Sequence, residues 1–381
     1  MTQPLDPTKA RPAWDVEWQA GWVTACTFLG APTRLAAGNQ DGLILVWDLP
    51  QETPAPAAPD QPLAKGEAPQ PLLPVRLLKG HTNVVSALAL AADARWLIST
   101  SYDHSVRIWD WNASTSGTEK VKLFAKRNRT DPEPEPVEVP VLAESLVLEG
   151  HTEWIRALSL NADRTRLLTA DDCGLVILWS LPDGKELRRL QLPAGAQDIA
   201  LSPDAALMAA SEFNGFVPSR DDPARHHSLV RIRDLSSGEV THDLSPEIPA
   251  RKGAAQAQKS RGLAFSPDGK TLAVGRSGWI VEFGAIALFD AGTGKKLREM
   301  KGHEQGVSRL GFTPDGKFIV SAGNDTTIKF WDPEDGAEVA TLGTPRGGQT
   351  KDQIFACDVA PDNSRVCGAD MAGLVRVWQL G

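Results

Sequence analysis

The sequence predicts an all-β fold, a seven-bladed β-propeller with four antiparallel strands in each blade. Three observations support this prediction. A short strand that ends in Trp-Asp, or in a variant of it, occurs seven times along the 381 residues. A Gly-His pair precedes three of these endings at a constant distance, and Pro-Asp turns separate several apolar runs. Repetition at intervals of about 40 to 50 residues is typical of propellers, in which each repeat forms one blade.

The repeated strand endings define the seven units. Their Trp positions, or the equivalent positions, lie 42 to 70 residues apart, and the longer intervals contain insertions. Five of the endings keep Trp, and five keep the Asp that follows. The endings are residues 45–48, 107–110, 177–180, 231–234, 287–290, 329–332 and 376–379.

Two further markers occupy fixed places within the units. His81, His151 and His303 each follow a glycine, and each stands 28 residues before the Trp of its unit. Pro-Asp pairs at 203–204, 267–268, 314–315 and 361–362 lie between apolar runs. Proline presets φ in such turns, and a following Gly or Asn accepts a positive φ. The apolar runs are rich in Val, Ile, Thr and Trp, which favour strands.

Together these markers resemble those of the WD-repeat family, and the resemblance covers nearly the whole chain. It implies that three strands follow each Gly-His turn and that a fourth strand leads into the next unit. The last unit stops one strand short at 378–381, while residues 13–19 form an additional strand candidate before the first unit. We therefore expect residues 13–19 to pair in the last blade and close the ring, because an open ring leaves unpaired strand edges.

The expected organisation is an N-terminal tail at 1–12 followed by a single propeller at 13–381. Blades are expected at about 20–78, 79–149, 150–190, 191–244, 260–300, 301–342 and 353–381. Inserted loops are expected at 50–74, 112–144, 213–227 and 245–259. The first insertion contains eight prolines, which favours an extended linker. The first two insertions follow third strands, so we expect both to project from the same face of neighbouring blades.

Polar side chains repeat at fixed intervals, and we interpret them as structural. The resemblance implies that each set is a tetrad in which indole, hydroxyl, imidazole and carboxylate form a hydrogen-bonded chain. An active site rarely occurs twice at identical spacing, and Trp has no role in a catalytic triad. The complete sets are His81, Ser99, Asp103 and Trp109, and His303, Ser321, Asp325 and Trp331. A partial set comprises His151, Thr169 and Trp179, with Cys173 at the position of the acid and Asp172 adjacent to it.

Other units depart further from this pattern. The first unit has Trp47 without the histidine, and the fourth and fifth units carry Arg233 and Phe289 in place of Trp. We expect the fourth and fifth blades to be held mainly by strand pairing and apolar packing. Cys357 and Cys367 flank a turn, where they are either two buried thiols or a disulfide.

Composition and charge narrow the functional classes. Hydrophobic residues make up 41% of the chain, enough for a substantial core, and the net charge of −8 does not favour nucleic acid or an anionic membrane. We find no secretory signal and no apolar run of about 18 residues, so we expect a cytoplasmic protein. The four cysteines lack metal-ligand spacing, and no cofactor or enzyme motif occurs, so we expect no catalytic, cofactor or metal site. We expect the chain to be monomeric on its own.

A candidate partner-binding site is predicted where loops of the fourth and fifth units meet. The segments 213–227, 245–259 and 276–283 connect strand ends on one face, and they combine aromatic and cationic side chains. Such combinations are typical of the residues that dominate binding energy at protein interfaces. The candidate residues are Phe216, Arg220, Arg225, Arg251, Lys252, Trp279 and Phe283. Phe283 has an alternative place in the strand-end core.

The sequence therefore favours a non-catalytic scaffold that binds a protein partner through propeller loops. Two alternatives stay open at this point. One is an enzyme with its site in the central channel, which would need convergent acids, bases or metal ligands on the inner strands. The other is a binder of nucleic acid or a basic tail through a charged loop face, which strong salt dependence of binding would indicate.

Overall fold

A computed structural model of the chain describes residues 5–18, 21–51, 72–91, 94–124, 133–213, 228–245, 259–277, 285–344 and 353–381. Regular structure in these ranges is almost entirely β-strand, with one turn of 3-10 helix at Pro7–Lys9. Within the same ranges, no helix is long and apolar enough to cross a membrane.

The strands form seven sheets. In chain order they begin with β1 (Arg11–Glu17), then β2 (Val23–Phe28), β3 (Arg34–Asn39), β4 (Ile44–Asp48) and β5 (Arg76–Leu78). Next are β6 (Val85–Leu90), β7 (Trp96–Ser101), β8 (Val106–Asp110), β9 (Gly117–Val121), β10 (Val137–Leu142) and β11 (Leu146–Leu148). The third and fourth blades contain β12 (Ile155–Leu160), β13 (Arg166–Asp171), β14 (Leu175–Ser180), β15 (Glu186–Gln191), β16 (Gly195–Leu201), β17 (Leu207–Phe213), β18 (Leu229–Asp234) and β19 (Val240–Asp243). The remaining strands are β20 (Lys259–Phe265), β21 (Thr271–Ser277), β22 (Ala285–Asp290), β23 (Lys296–Lys301), β24 (Val307–Phe312), β25 (Ile319–Gly323), β26 (Ile328–Trp331), β27 (Glu338–Leu342), β28 (Ile354–Val359), β29 (Arg365–Asp370) and β30 (Leu374–Gln379).

Seven blades of antiparallel strands arranged in a ring confirm the predicted propeller. Each blade has its first strand at the centre and later strands progressively outward, as in the order β24-β25-β26-β27. Apolar side chains alternate along the strands and pack between neighbouring blades, where the tryptophans of the repeated endings are buried. The seven innermost strands, β2, β6, β12, β16, β20, β24 and β28, surround a central channel.

The N-terminal strand closes the ring, as predicted. β1 pairs antiparallel with β30 at the outer edge of the last blade, from Arg11 opposite Gln379 to Glu17 opposite Leu374. The strand therefore begins and ends two residues earlier than the expected 13–19. Its side chains alternate between solvent and core, and Val16 is fully buried. Closure leaves no unpaired outer edge on β30.

Two buried cysteines lie at the junction between the last blade and the first. The Sγ atoms of Cys26 and Cys367 are 3.5 Å apart, and both residues are free thiols. Of the two alternatives for Cys357 and Cys367, the disulfide does not form, because Cys357 lies opposite Gly368 in the ladder. Residues one register position apart point to opposite faces of a sheet, so these two side chains diverge.

The insertion at 112–144 forms a hairpin in its described part, which corrects the prediction of a loop. β9 and β10 pair antiparallel, and β10 adds in parallel to β5 through Val141 and Leu142. The hairpin therefore extends the first blade to six strands, although it follows the second blade in sequence. Alternating valines explain this, since Val137, Val139 and Val141 share one face of β10 and pack in the same apolar cluster as Trp47 and Leu77. The proline-rich insertion, residues 52–71, lies outside the described residues.

Replacing Val16 with Asp tests the closure. The substitution puts an unpaired carboxylate into the junction and is expected to lower the free energy of unfolding by at least ~3 kcal/mol. Asp15→Ala is the matched control, because Asp15 is on the same strand with a side chain 60% exposed. The control is expected to change stability by less than about 0.5 kcal/mol. Equal unfolding midpoints for the two variants in urea would contradict closure through β1.

Candidate functional site

A β-bulge occurs at the same place in the innermost strand of every blade. In each case the pairing with the second strand shifts one or two residues after the inner strand begins. A bulge leaves its extra residue unpaired and redirects the side chain. The residues at the bulges all line one cavity in the channel, and they are Thr24, Ser86, Arg156, Gln197, Arg261, Ser308 and Phe355.

This cavity, which we call the arginine pocket, opens on the face where the innermost strands begin. Its volume is about 190 Å³, and its wall includes Arg156, Arg261 and Arg309. We call this side of the propeller the arginine face. In the fifth blade the bulge includes Gly262, whose φ of +79° favours glycine. A Cβ at Gly262 would lie 2.9 Å from the backbone nitrogen of Leu310, so the neighbouring blade also requires glycine there.

Two of the three arginines have acidic partners, and the third has none among the residues that the structure describes. The guanidinium of Arg156 makes two hydrogen bonds to Asp172, at 2.7 and 2.6 Å. Arg309 Nη1 lies 3.3 Å from Asp198 Oδ1. The side chain of Arg261 forms no hydrogen bond or ion pair with any residue that the structure describes. Desolvation, together with the charge of Arg309, lowers the pKa of Arg261 from its ordinary value.

Aromatic side chains stand beside the pocket on the arginine face. Tyr102 stacks on Trp154 with ring centroids 5.0 Å apart and planes 5° from parallel. The guanidinium of Arg156 lies 4.7 Å from the Tyr102 ring centroid and 2.5 Å from its hydroxyl oxygen. These contacts fix the three side chains as one unit. Trp154 is nevertheless 43% exposed, and Trp22, which lines the pocket, is 49% exposed.

The opposite end of the channel is larger and differs in chemistry. Its cavity has a volume of about 670 Å³ and is lined mainly by apolar inner-strand residues such as Phe28 and Phe312. The two charged residues in its wall already have partners. Asp358 accepts hydrogen bonds from Thr27 Oγ1 and the Phe28 amide, both at 2.9 Å, and Arg164 donates to a backbone carbonyl. The smaller cavity therefore differs in that it contains a charged group, Arg261, with no partner in the described part of the chain.

The partner-binding residues predicted from sequence lie outside the described residues. They are Phe216, Arg220, Arg225, Arg251, Lys252, Trp279 and Phe283. The described strand ends beside them are on the arginine face, since Phe213 pairs with Gly195 at the start of β16. Phe213 itself is buried. Sequence reasoning missed the bulge residues of the arginine pocket, because a bulge depends on pairing between strands.

The repeated polar sets form hydrogen-bonded chains within their blades. Trp109 Nε1 donates to Ser99 Oγ at 2.8 Å, and this oxygen lies 2.7 Å from His81 Nε2. His81 Nδ1 lies 2.9 Å from Asp103 Oδ2. Burial lowers the pKa of His81, which favours the neutral ring that this chain requires. In the sixth blade the same chain is formed by Trp331, Ser321, His303 and Asp325.

The third blade completes its partial set with Asp171, which the sequence analysis did not select. Trp179 Nε1 donates to Thr169 Oγ1 at 2.9 Å, and Thr169 lies 2.8 Å from His151 Nε2. His151 Nδ1 is 2.9 Å from Asp171 Oδ2, while Cys173 is exposed. The acid therefore comes from the end of the second strand, two residues after the threonine. Asp370 of the last blade occupies the same place in its repeat.

The first and fourth blades lack the tetrad and differ in what stands in its place. In the first blade the buried Trp47 Nε1 has no hydrogen-bond partner among the described residues. In the fourth blade, Glu212 is buried and pairs with both Arg233 and Arg231. The expectation that strand pairing and apolar packing mainly hold the fourth blade is therefore incomplete, since a buried ion cluster takes the place of the tetrad.

The described residues contain no group of three His, Cys, Asp or Glu side chains that would hold a metal ion. The polar chains also face the interior of the blades, and His81 and Ser99 are buried. The arrangement that faces solvent is the arginine pocket with its aromatic border. Its chemistry suits recognition of an anionic group next to an apolar one.

Comparison with known proteins agrees with the fold. The family described as "WD domain, G-beta repeat" matches residues 16–48, 72–110, 143–180 and 294–332. The chain is therefore a WD-repeat β-propeller. The matched segments include the units that keep His and Trp, whereas the fourth blade, which carries Arg233, is unmatched.

Several curated proteins are similar to the chain, some over most of their own length and others over less than half of it. Small ribosomal subunit protein RACK1 of Candida albicans is 23% identical over 68% of this chain and 91% of that protein. Cross-pathway control WD-repeat protein 2 of Flammulina velutipes is 22% identical over 68% of this chain and 92% of that protein. WD repeat and SOCS box-containing protein 1 of Homo sapiens is 27% identical over 43% of this chain and 38% of that protein.

Variants of the sixth blade test the structural role of the polar chains. His303→Ala and Ser321→Ala are each expected to lower the free energy of unfolding by ~1–3 kcal/mol, because each leaves buried polar groups unsatisfied. The double variant is expected to cost less than the two losses added together, since both act on one network. Chemical denaturation measures all three values. Fully additive losses, or no loss, would show that the hydrogen-bonded network does not stabilise the blade.

Acid titration provides a second readout of the same network. Burial raises and hydrogen bonding from His303 lowers the pKa of Asp325, with a net value of about 2. A carboxyl group whose pKa in the folded protein is below its ordinary value stabilises the fold at pH values above that ordinary pKa. This stabilisation is lost as the pH falls toward the folded-state pKa. The wild-type protein therefore loses this stabilisation between about pH 4 and pH 2, and His303→Ala is expected to reduce that loss.

Arg261→Met tests whether Arg261 lacks a structural partner. The substitution removes a desolvated cation that pairs with no described residue, so the free energy of unfolding is expected to rise by ~1 kcal/mol. Arg156→Met is the matched control, and it is expected to lose ~1–3 kcal/mol because it leaves Asp172 unpaired. Urea denaturation separates the two results. A clear loss of stability in Arg261→Met would mean that the residue is structural.

Proposed function

We propose that the chain is an interaction scaffold that binds a protein partner through the arginine face. At the family level, the WD-repeat similarity supports a role in protein interactions. The observation that carries the more specific proposal is the unpartnered Arg261 next to exposed aromatic rings. An unsatisfied cation in a partly buried pocket is unfavourable for the protein alone and becomes favourable when a partner supplies the missing acceptor.

The arginine face has the composition of a binding hot spot. Trp, Tyr and Arg are enriched among the residues that dominate binding energy at protein interfaces. Trp22, Tyr102, Trp154 and Arg156 combine these types within a small area. Arg156 is part of β12, and the three aromatic residues are each directly next to the end of a strand, so a partner loses little free energy in ordering them.

The seven candidate residues in the loops of the fourth and fifth blades remain part of the proposal. Phe216, Arg225 and Trp279 belong to segments that continue from described strand ends on the arginine face. A partner that contacts the pocket is close to those strand ends. We also propose a cytoplasmic location, which the relatives named as ribosomal subunit proteins support.

The alternative functions receive less support from the site. A basic tail in the arginine pocket would place a cation against Arg261, which is electrostatically unfavourable. A catalytic role needs an acid, base or nucleophile that is free to react. Asp198, which lines the arginine pocket, and Asp172, which pairs with Arg156 beside it, are both engaged by arginines.

Substitution of the exposed tryptophans tests the proposed function. Trp22→Ala together with Trp154→Ala is expected to remove captured protein partners when tagged protein is incubated with native lysate of the source organism. Leu187→Ala together with Leu297→Ala is the matched control, since these leucines are 43% and 42% exposed on outer strands. Both proteins are expected to fold, because exposed side chains contribute little to stability. Identical captured partners for the two variants would refute an interaction through the arginine face.

A further inference from the structure

We infer that the arginine pocket binds one carboxylate, from an aspartate or glutamate side chain of the partner. This inference rests on the proposed function and specifies the group that the site recognises. Arg261 and Gln197 are the residues that would contact it. The bordering rings of Trp22 and Trp154 would contact an apolar part of the same peptide.

The donors that remain free in the pocket identify the contacts. The hydroxyl of Thr24 donates to the Val85 carbonyl at 2.6 Å, and Ser308 donates to the Ala322 carbonyl at 2.9 Å. These hydroxyls are therefore engaged in holding the propeller together. The side chains of Arg261 and Gln197 have no partner among the described residues. The guanidinium of Arg261 can only donate, so it requires a ligand that accepts hydrogen bonds, and the amide group of Gln197 can donate to the same ligand.

The acid already in the pocket is held away from Arg261 by its own contacts. Asp198 Oδ2 accepts the backbone N–H groups of Gly262 and Leu263 at 2.8 and 2.9 Å, and Asp198 Oδ1 lies near Arg309. Pairing with Arg261 would require Asp198 to leave two buried amides unsatisfied, which is costly. The free guanidinium is therefore a consequence of how the fourth and fifth blades are joined.

The charges of the pocket favour a carboxylate over a phosphate. Arg156, Arg261 and Arg309 face two aspartates, Asp172 and Asp198, which leaves one net positive charge. A carboxylate neutralises this charge. A phosphate monoester carries about −1.5 to −2 at neutral pH, so it would leave excess negative charge next to the two aspartates. A volume of about 190 Å³ also suits a single side chain rather than a folded segment.

Peptide display tests the inference without knowledge of the natural partner. A library of random 12-residue peptides is selected against the full-length protein, and the selected peptides are expected to share Asp or Glu at one position. In calorimetric titrations, replacing that acid with Asn or Gln is expected to weaken binding at least ~10-fold, because a charge-assisted hydrogen bond is lost. Selected peptides without a shared acidic position, or no selected peptides at all, would overturn the inference.

The variant Arg261→Gln tests whether the acidic peptide binds at the arginine pocket. In this variant the acidic peptide is expected to bind at least ~10-fold more weakly, and exchanging its acid for the amide should have no further effect, as expected for two groups in direct contact. Lys270→Gln is the matched control, because it makes the same charge change at a site 80% exposed on the opposite face. Lys270→Gln is expected to leave the affinity unchanged. Equal effects of the acid-to-amide exchange in wild type and Arg261→Gln would overturn the inference.

Two further measurements separate this inference from the proposed function. A phosphoserine peptide that binds more tightly than the glutamate peptide would contradict the charge argument, yet would leave an interaction site at the arginine face. Peptides that do not bind the Trp22→Ala and Trp154→Ala variant, but show no preference for an acid, would also contradict the inference of a carboxylate and leave the interaction site at the arginine face. If neither the tryptophans nor Arg261 affects any selected peptide, both proposals fail.

Discussion

The pairing of β1 with β30 is the constraint on which the rest of the structure depends. Once the ends of the chain share one blade, seven inner strands must converge on a common axis. Hydrogen bonds then join neighbouring blades near that axis. Asp358 of the last blade accepts the Phe28 amide of the first, and Asp198 of the fourth accepts two amides of the fifth. Each of these hydrogen bonds satisfies polar groups that are buried near the axis.

Convergence at the axis also accounts for the arginine pocket. The bulge in each inner strand turns one side chain toward the channel, so the seven blades contribute a ring of single residues. Five positions in this ring hold Thr, Ser, Gln or Phe, and two hold arginine. The nearby carboxylate of Asp198 does not pair with Arg261, because it accepts hydrogen bonds from the backbone amides of Gly262 and Leu263. An unpaired cation in such a place lowers stability, and proteins keep groups of this kind mainly where they function.

The sequence predicted the parts of the structure that depend on local repetition. Trp-Asp endings and Gly-His pairs gave the number of blades, and the short final unit indicated closure by the N-terminal strand. The polar partners His81 and Asp103 were visible because their spacing repeats in the sixth unit. Asp171 was missed because the acid moved to a different strand position while its chemistry stayed the same. The hairpin of β9 and β10, and the ring of bulges, depend on pairing between distant segments, which the order of residues alone does not reveal.

A crystal structure of the whole protein without a partner would directly test both the closure through β1 and the absence of a partner for Arg261. We expect β1 to lie on the last blade and the Arg261 guanidinium to face the channel, with every carboxylate oxygen of the chain more than about 4 Å from it. A salt bridge between Arg261 and any acidic residue of the chain, including those in the loops of the fourth and fifth blades, would contradict this expectation. In that case the arginine would be part of the scaffold, and the binding site would have to lie elsewhere.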